Sequence, residues 1–211
     1  DSDTGNFDRQ KFWEHSIACG VAARLLATKL RYRVPGEAFA AGILHDIGRL
    51  ILSQYFPNEF DNVLRLMQDE ELYIGDAEER VLGVTHADVG GWLAERWNLP
   101  RQLEETICFH HAPGRLGRGN DLPSLIHLAD FLCRRENIGD GGGHRLPKLD
   151  PAALRTFGIH EEPRAALKRI FGYGDELQHE MEKADAFTNI VRDEGEPTDE
   201  TSATHEPTAL H

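Results

Sequence analysis

At 211 residues and 40% hydrophobic content the chain is long enough for one ordinary domain with a real core, while a formal net charge of -13 excludes functions that neutralise nucleic-acid phosphates or anionic lipid heads. No apolar run reaches the length of a membrane span, and the N-terminus lacks the basic-then-apolar plan of a secretion signal. The expectation is a cytoplasmic protein with neither nucleic acid nor membrane as partner.

Apolar residues recur at helical spacing from Phe12 to about Leu30, with Trp13, Ile17, Val21 and Leu25 on one stripe and Ala18, Ala22 and Leu26 on the next. After the turn at Val34-Pro35-Gly36, a second helix is predicted from Glu37 to about Tyr55. It is apolar almost all round, so it should be central, with His45 and Asp46 buried in it. Pro57 ends that helix, and a third follows through Phe60, Val63, Leu64 and Met67 before a break at Gly75. Asp76 with Glu79, and Thr85 with Asp88, have capping-box spacing and predict two short helices starting near Ala77 and His86. Pro100 opens a further helix that runs to His110 and His111 and stops at Pro113-Gly114. Pro123 opens another, which carries Asp130. Gly139 to Gly143 reads as a flexible loop, Asp150-Pro151 starts a weaker helical stretch, and one amphipathic helix follows from about Pro163. From Asp193 to His211 the chain is acidic without Lys or Arg, the composition of a disordered tail. No β-alternation of useful length is present, so the predicted fold is all-α.

Cys19, Cys108 and Cys133 stand far apart among apolar neighbours, without CxxC pairing, and read as small core residues in a reducing compartment. The histidines are more telling. His15, His45-Asp46, His86, His110-His111 and Asp130 each lie on or at the end of a predicted helix, and together they mix imidazole with carboxylate in the manner suited to Fe, Mn or Zn. Taken singly, His15 or His86 could be a helix cap or a satisfied core residue. The pair within Ile43-Leu44-His45-Asp46-Ile47-Gly48 is harder to explain that way, because buried ionisable groups are costly unless paired or bound to metal. Adjacent helical residues point about 100° apart, so His45 and Asp46 can straddle a two-metal axis, with the Asp46 carboxylate between the ions. Such a pair of ions can polarise a phosphoryl oxygen and stabilise a leaving oxygen. His127 precedes Asp130 by one turn and would support it from behind. His144, His160, His179, His205 and His211 lie in polar or tail contexts and carry no assignment.

The series Phe12-Trp13-Glu14-His15-Ser16, Ala41-Gly42-Ile43-Leu44-His45-Asp46-Ile47-Gly48-Arg49, His86-Ala87-Asp88-Val89-Gly90 with Trp97-Asn98-Leu99-Pro100, His110-His111-Ala112-Pro113 and Leu128-Ala129-Asp130 closely resembles the HDOD family. That family is a branch of the HD superfamily, related to the HD-GYP phosphodiesterases of cyclic-di-GMP signalling. The resemblance spans roughly Phe12 to Arg135. It implies an HD-like helical bundle around a metal site, with His15, His45, His86, His110, His111 and Asp130 as ligands and Asp46 as the bridge. Arg49 stands where a Lys follows the HD motif in the enzymes and would meet a phosphate. Three departures matter. HDOD proteins usually carry a further helical half before the Trp-x-His motif, so this chain, which opens at Asp1 without Met, is expected to be the HD-like half of something longer. The segment from Ala112 to Gly119 lacks the Gly-Tyr-Pro element of the cyclic-di-GMP enzymes, and Lys11 stands where some of them place a Glu for a third metal. A binuclear site is therefore the most that is implied.

The organisation expected is an HDOD-type domain over residues 1-192, with its motif core at 12-135, followed by an acidic tail over 193-211. Its expected role is a bacterial signal-transduction output or regulatory domain with a dinuclear divalent-metal site. Its partners would be signalling proteins and, through the site, a phosphorylated small molecule. Two alternatives stand beside it. One is a metal-dependent phosphohydrolase or phosphodiesterase on a nucleotide or cyclic dinucleotide, with Asp46 and Arg49 in catalytic roles. The other is a metal-free helical interaction domain.

Overall fold

The computed structural model describes residues 7–117, 119–139 and 148–193. Among them there are α-helices and one short 3-10 segment, Pro113–Leu116, with no strand. In chain order the helices are α1 (Arg9–Lys29), α2 (Pro35–Leu44), α3 (Ile47–Tyr55), α4 (Pro57–Asp69), α5 (Ile74–Leu82), α6 (His86–Arg96), α7 (Arg101–Phe109), α8 (Asp121–Arg135), α9 (Pro151–Thr156), α10 (Pro163–Phe171) and α11 (Gly174–Asp193). The all-α expectation is met. No helix among the described residues is long and apolar enough to cross a membrane.

The centre is α8, buried on every side from Leu122 to Arg134. Leu125, Ile126, Leu128, Ala129 and Leu132 join Ala18, Cys19, Ala22 and Leu26 of α1 and Ala38 and Ala41 of α2 in the main core. A second cluster, Leu52, Phe60, Val63, Leu64, Met67 and Ile74, ties α3 to α4 and α5. A third, Ile47, Ala94 and Ile107, joins α3 to α6 and α7.

Two of the expected helices are drawn differently. The predicted helix from Glu37 to Tyr55 is interrupted at His45 and Asp46, giving α2 and α3. The His45 Nδ1–H donates to the Gly42 carbonyl (2.7 Å), the acceptor that a continued helix would use, and Asp46 takes φ -100°, ψ 12°. An all-round apolar pattern does not distinguish one long helix from two. Nor is the chain broken at Gly75: α5 begins at Ile74, behind Tyr73 with no side-chain cap, and the Asp76–Glu79 capping box does not form. The Thr85–Asp88 box does form, with Asp88 N–H donating to Thr85 Oγ1 (3.2 Å) and Thr85 N–H to Asp88 Oδ2 (2.9 Å). Past Pro163 there are two helices rather than one, because α10 ends at Gly172 and α11 starts at Gly174. The expected loop at 140–143 and the tail beyond Asp193 lie outside the described residues.

Two glycines set the spacing that matters for function. A Cβ on Gly42 would lie 2.6 Å from the Cys19 carbonyl oxygen, so α2 crosses α1 backbone to backbone. A Cβ on Gly48 would fall on the His86 carbonyl oxygen, so α3 meets the start of α6 equally closely. The first crossing faces His15 toward His45. The second faces Asp46 toward His86.

Candidate metal centre

All seven metal-ligand candidates converge in the interior. Their donor atoms fall into two groups, each with its atoms within 4.8 Å of one another: His15, Cys19, His45 and Asp130, and Asp46, His86, His110 and His111. His15, His45, Asp46, His86 and His110 are fully buried, and Asp130 is nearly so. His111 is half-buried.

Backbone and carboxylate anchors aim the imidazoles. His45 Nδ1 donates to Gly42 O (2.7 Å), His110 Nδ1 to Ile107 O (2.9 Å) and His86 Nδ1 to Glu78 Oε2 (2.6 Å). Each Nε2 is thereby turned toward Asp46: His86 and His110 stand 3.2 and 3.4 Å from Oδ1, and His45 stands 3.3 Å from Oδ2. His86 Nε2 also lies 2.8 Å from His111 Nε2, and the Tyr73 hydroxyl lies 2.7 Å from His111 Nδ1. On the other side, Asp130 Oδ1 accepts from Arg134 Nε (2.7 Å) and lies 3.1 Å from His15 Nε2, which is 3.5 Å from Cys19 Sγ. Arg49 Nη1 lies 3.1 Å from Asp46 Oδ2, an ion pair without hydrogen-bond alignment.

These residues fit a divalent ion. His45 Nε2, His110 Nε2, both Asp46 oxygens and Asp130 Oδ2 are buried without a hydrogen-bond partner. Imidazole lone pairs facing carboxylate oxygens repel one another unless a cation stands between them.

In the metal-free chain, protons take part of that role. Burial disfavours the cations of His15 and His86, yet neighbouring groups push both pKa values up to about 9: Cys19 and Asp130 for the first, Glu78 and Asp46 for the second. Burial, with some help from His45, lowers His110 to about 4; burial and the adjacent His110 and His86 hold His111 well below its ordinary value. Burial would raise the two aspartates, but Arg49 and the imidazoles keep Asp46 well below the usual carboxylate range, and Arg134 and His15 do the same for Asp130. For His15 and His86, raised above 6.5, the stabilisation of the metal-free fold is complete below pH 6.5 and is lost as pH rises through about 9. A metal ion must displace the same protons, so its affinity should increase from pH 6 toward 9, by up to about tenfold per unit for each proton released. Chelator-competition titrations across that range check this, and a flat profile would remove both protons from the linkage.

Four residues of this centre were not assigned to it from the sequence: Cys19, which read as core; Glu78, which anchors His86 through both Nδ1 and the backbone N–H (2.9 Å); Tyr73; and Arg134. The spacing of Arg134, one helical turn after Asp130, could have suggested the last of them. His127 corrects an expectation. Rather than supporting Asp130, it donates from Nδ1 to the His110 carbonyl (2.8 Å) and accepts at Nε2 from the Asp150 N–H (3.0 Å), tying the start of α9 to the His110 turn. Cys133 is buried and Cys108 half-buried, and all three thiols are free. Glu78→Gln should keep the fold but weaken metal binding by roughly 10- to 100-fold, since the carboxylate sets the ring's tautomer and basicity; an unchanged dissociation constant would show that His86 needs no anchor.

A family model for the HDOD domain matches residues 1–113, more than half of the chain. The chain belongs to the HDOD family. Among solved structures, this HDOD chain is similar to an HDOD domain protein from Geobacter sulfurreducens, at 27% identity and TM-score 0.65, over 90% of this chain and 62% of that one. It shares its fold with a candidate phosphohydrolase from Shewanella amazonensis SB2B (22% identity, TM-score 0.60, 85% and 66% covered). It also shares it with a candidate signal transduction protein from Marinobacter aquaeolei VT8 (23% identity, TM-score 0.67, 91% and 41% covered). An uncharacterised protein of Treponema pallidum is 26% identical over 129 residues, which cover 60% of this HDOD chain and 25% of that relative. The HDOD chain thus spans a quarter of the curated relative and two thirds or less of these solved chains.

Proposed function

We propose that this HDOD chain is a cytoplasmic signal-transduction output or regulatory domain whose buried His/Asp centre binds divalent metal of the Fe, Mn or Zn kind, two ions at full occupancy. The ligands are His15, His45, Asp46, His86, His110, His111 and Asp130, with Asp46 between the two groups. The observation that carries this reading is the set of buried, unpartnered imidazole and carboxylate atoms facing one another. Signalling proteins are its partners, and a phosphorylated small molecule is the ligand class suited to the centre. Elemental analysis of protein purified without chelator should find Fe, Mn or Zn retained. A protein that holds no metal and takes none up would instead be a helical interaction domain.

One observation favours a second reading, a metal-dependent phosphohydrolase or phosphodiesterase: Asp46 turns one oxygen to each donor group. Bound divalent ions would supply Lewis acidity toward a phosphoryl oxygen. In that reading Asp46 and Arg49 have catalytic roles, with Arg49 orienting the phosphate. Positioning groups are scarce, however. Arg115 is exposed, Arg118 lies outside the described residues, and the ligand side chains other than His111 are buried. Cyclic-di-GMP turnover should therefore be absent or very slow in the metal-loaded protein, while a generic aryl phosphodiester is hydrolysed weakly at most. Multiple turnover of cyclic-di-GMP, abolished by His45→Ala, would make the domain an enzyme.

A further inference from the structure

The two donor groups differ in chemistry. Asp46, His86, His110 and His111 offer three imidazoles and a carboxylate, whereas His15, His45 and Asp130 offer two imidazoles and a carboxylate together with the Cys19 thiol. Each carboxylate is paired with one buried arginine, Asp46 with Arg49 and Asp130 with Arg134, so the thiol is what sets the second group apart. Cys19 lies one helical turn after His15 on α1, and its Sγ stands 3.5 Å from His15 Nε2, which is 3.1 Å from Asp130 Oδ1. Donor atoms around a tetrahedral ion with bonds of about 2.0 to 2.3 Å lie roughly 3.3 to 3.6 Å apart, so these separations are close to those of ligands sharing one ion. The other ring nitrogen of His15, Nδ1, faces the Ile138 carbonyl at 3.4 Å, which leaves Nε2 turned inward. His45 Nε2 and Asp130 Oδ2 complete the group as buried atoms without a hydrogen-bond partner. One helix crossing sets this arrangement: Gly42 packs against the Cys19 backbone, and the Gly42 carbonyl accepts from His45 Nδ1. Nor does packing alone account for the sulfur. Ala18, Ala22 and Ala23 fill neighbouring core positions of α1 with methyl groups, while Cys19 Sγ meets an imidazole nitrogen.

We infer that Cys19 is a thiolate ligand beside His15, His45 and Asp130, making that half of the centre a site for a thiophilic divalent ion, zinc or ferrous iron in preference to manganese. Sulfur donors select such ions, whereas carboxylate and imidazole alone discriminate less. On binding, the thiol proton leaves to solvent and a metal–sulfur bond takes its place. This rests on the metal-binding reading above and adds to it a ligand and a class of metal.

Loading the whole chain with Co2+ tests this, because a thiolate bound to cobalt gives an intense near-ultraviolet charge-transfer absorption that imidazole and carboxylate donors do not. Wild type should show the band. Cys133→Ser, which changes the other fully buried thiol, should keep it, and Cys19→Ser should lose it while circular dichroism shows the helices intact. By chelator competition, Cys19→Ser should weaken zinc binding at this half by at least about 10- to 100-fold, the loss typical of removing even an outer partner of a ligand, and manganese binding by less. X-ray absorption at the zinc edge needs no variant: wild type should show sulfur at about 2.3 Å beside nitrogen and oxygen at about 2.0 to 2.2 Å. Bound cobalt or zinc without a charge-transfer band or a sulfur neighbour, or a band that persists in folded Cys19→Ser, would overturn the inference while leaving metal binding intact. Absence of any bound ion would overturn the metal reading itself, and the inference with it.

Discussion

Asp46→Ala should abolish retention of metal by both donor groups. Its carboxylate is the one side chain that reaches His86 and His110 through Oδ1 and His45 through Oδ2, at 3.2 to 3.4 Å. The same change removes the partner of a fully buried guanidinium, Arg49. Breaking a buried ion pair from one side typically costs about 3 to 5 kcal/mol, so the metal-free variant should also melt well below the metal-free wild type. Two measurements separate these effects: elemental analysis after dialysis, and thermal melts in chelator. Asp46→Asn refines the comparison, because it keeps the shape while removing the charge that an ion needs. Metal content equal to wild type in Asp46→Ala would take Asp46 out of the centre.

Gly48→Ala should damage the fold on a similar scale, although it adds only a single methyl group with no chemistry of its own. The new Cβ would fall on the His86 carbonyl oxygen and close to the Gly90 backbone nitrogen. Both are backbone atoms of α6, so neither can swing aside as a side chain would, and α3 must move off α6. An overpacking cost of about 3 kcal/mol corresponds to a melting-temperature drop of roughly 6 to 12 °C for a chain of this size. Because that contact also sets the distance from Asp46 to His86, metal affinity should fall with it. Melting the variant with and without saturating Mn2+ checks both. A stable Gly48→Ala with normal affinity would mean that the α3–α6 approach is looser than the backbone positions imply. Gly36 serves as the comparison, since a Cβ there meets nothing within 4 Å.

The chemistry of the centre was legible before the fold was. Asp46 within an apolar stretch, the doubled His110-His111 and the ordered series of motifs mark the candidate ligands and the family, because burying an ionisable group in apolar sequence is costly enough to require a reason. Helix number and order were largely legible too, since prolines and capping residues act locally. The failures were of another kind. The break between α2 and α3 depends on a His45 bond to Gly42 and on docking against α6, and nothing in the Glu37–Tyr55 pattern records either. Sequence by itself determined an all-helical HDOD chain and the residue types available to hold a metal. Only the tertiary structure decided that Glu78 anchors His86, that His127 braces the His110 turn instead of Asp130, that Cys19 joins the donors, and that Arg49 and Arg134 each pair with one carboxylate of the centre. The physical reason is that a side chain's role follows from which charges and lone pairs meet it across helices distant in the chain. Those meetings are set by packing of whole helices, which periodicity along one helix does not encode.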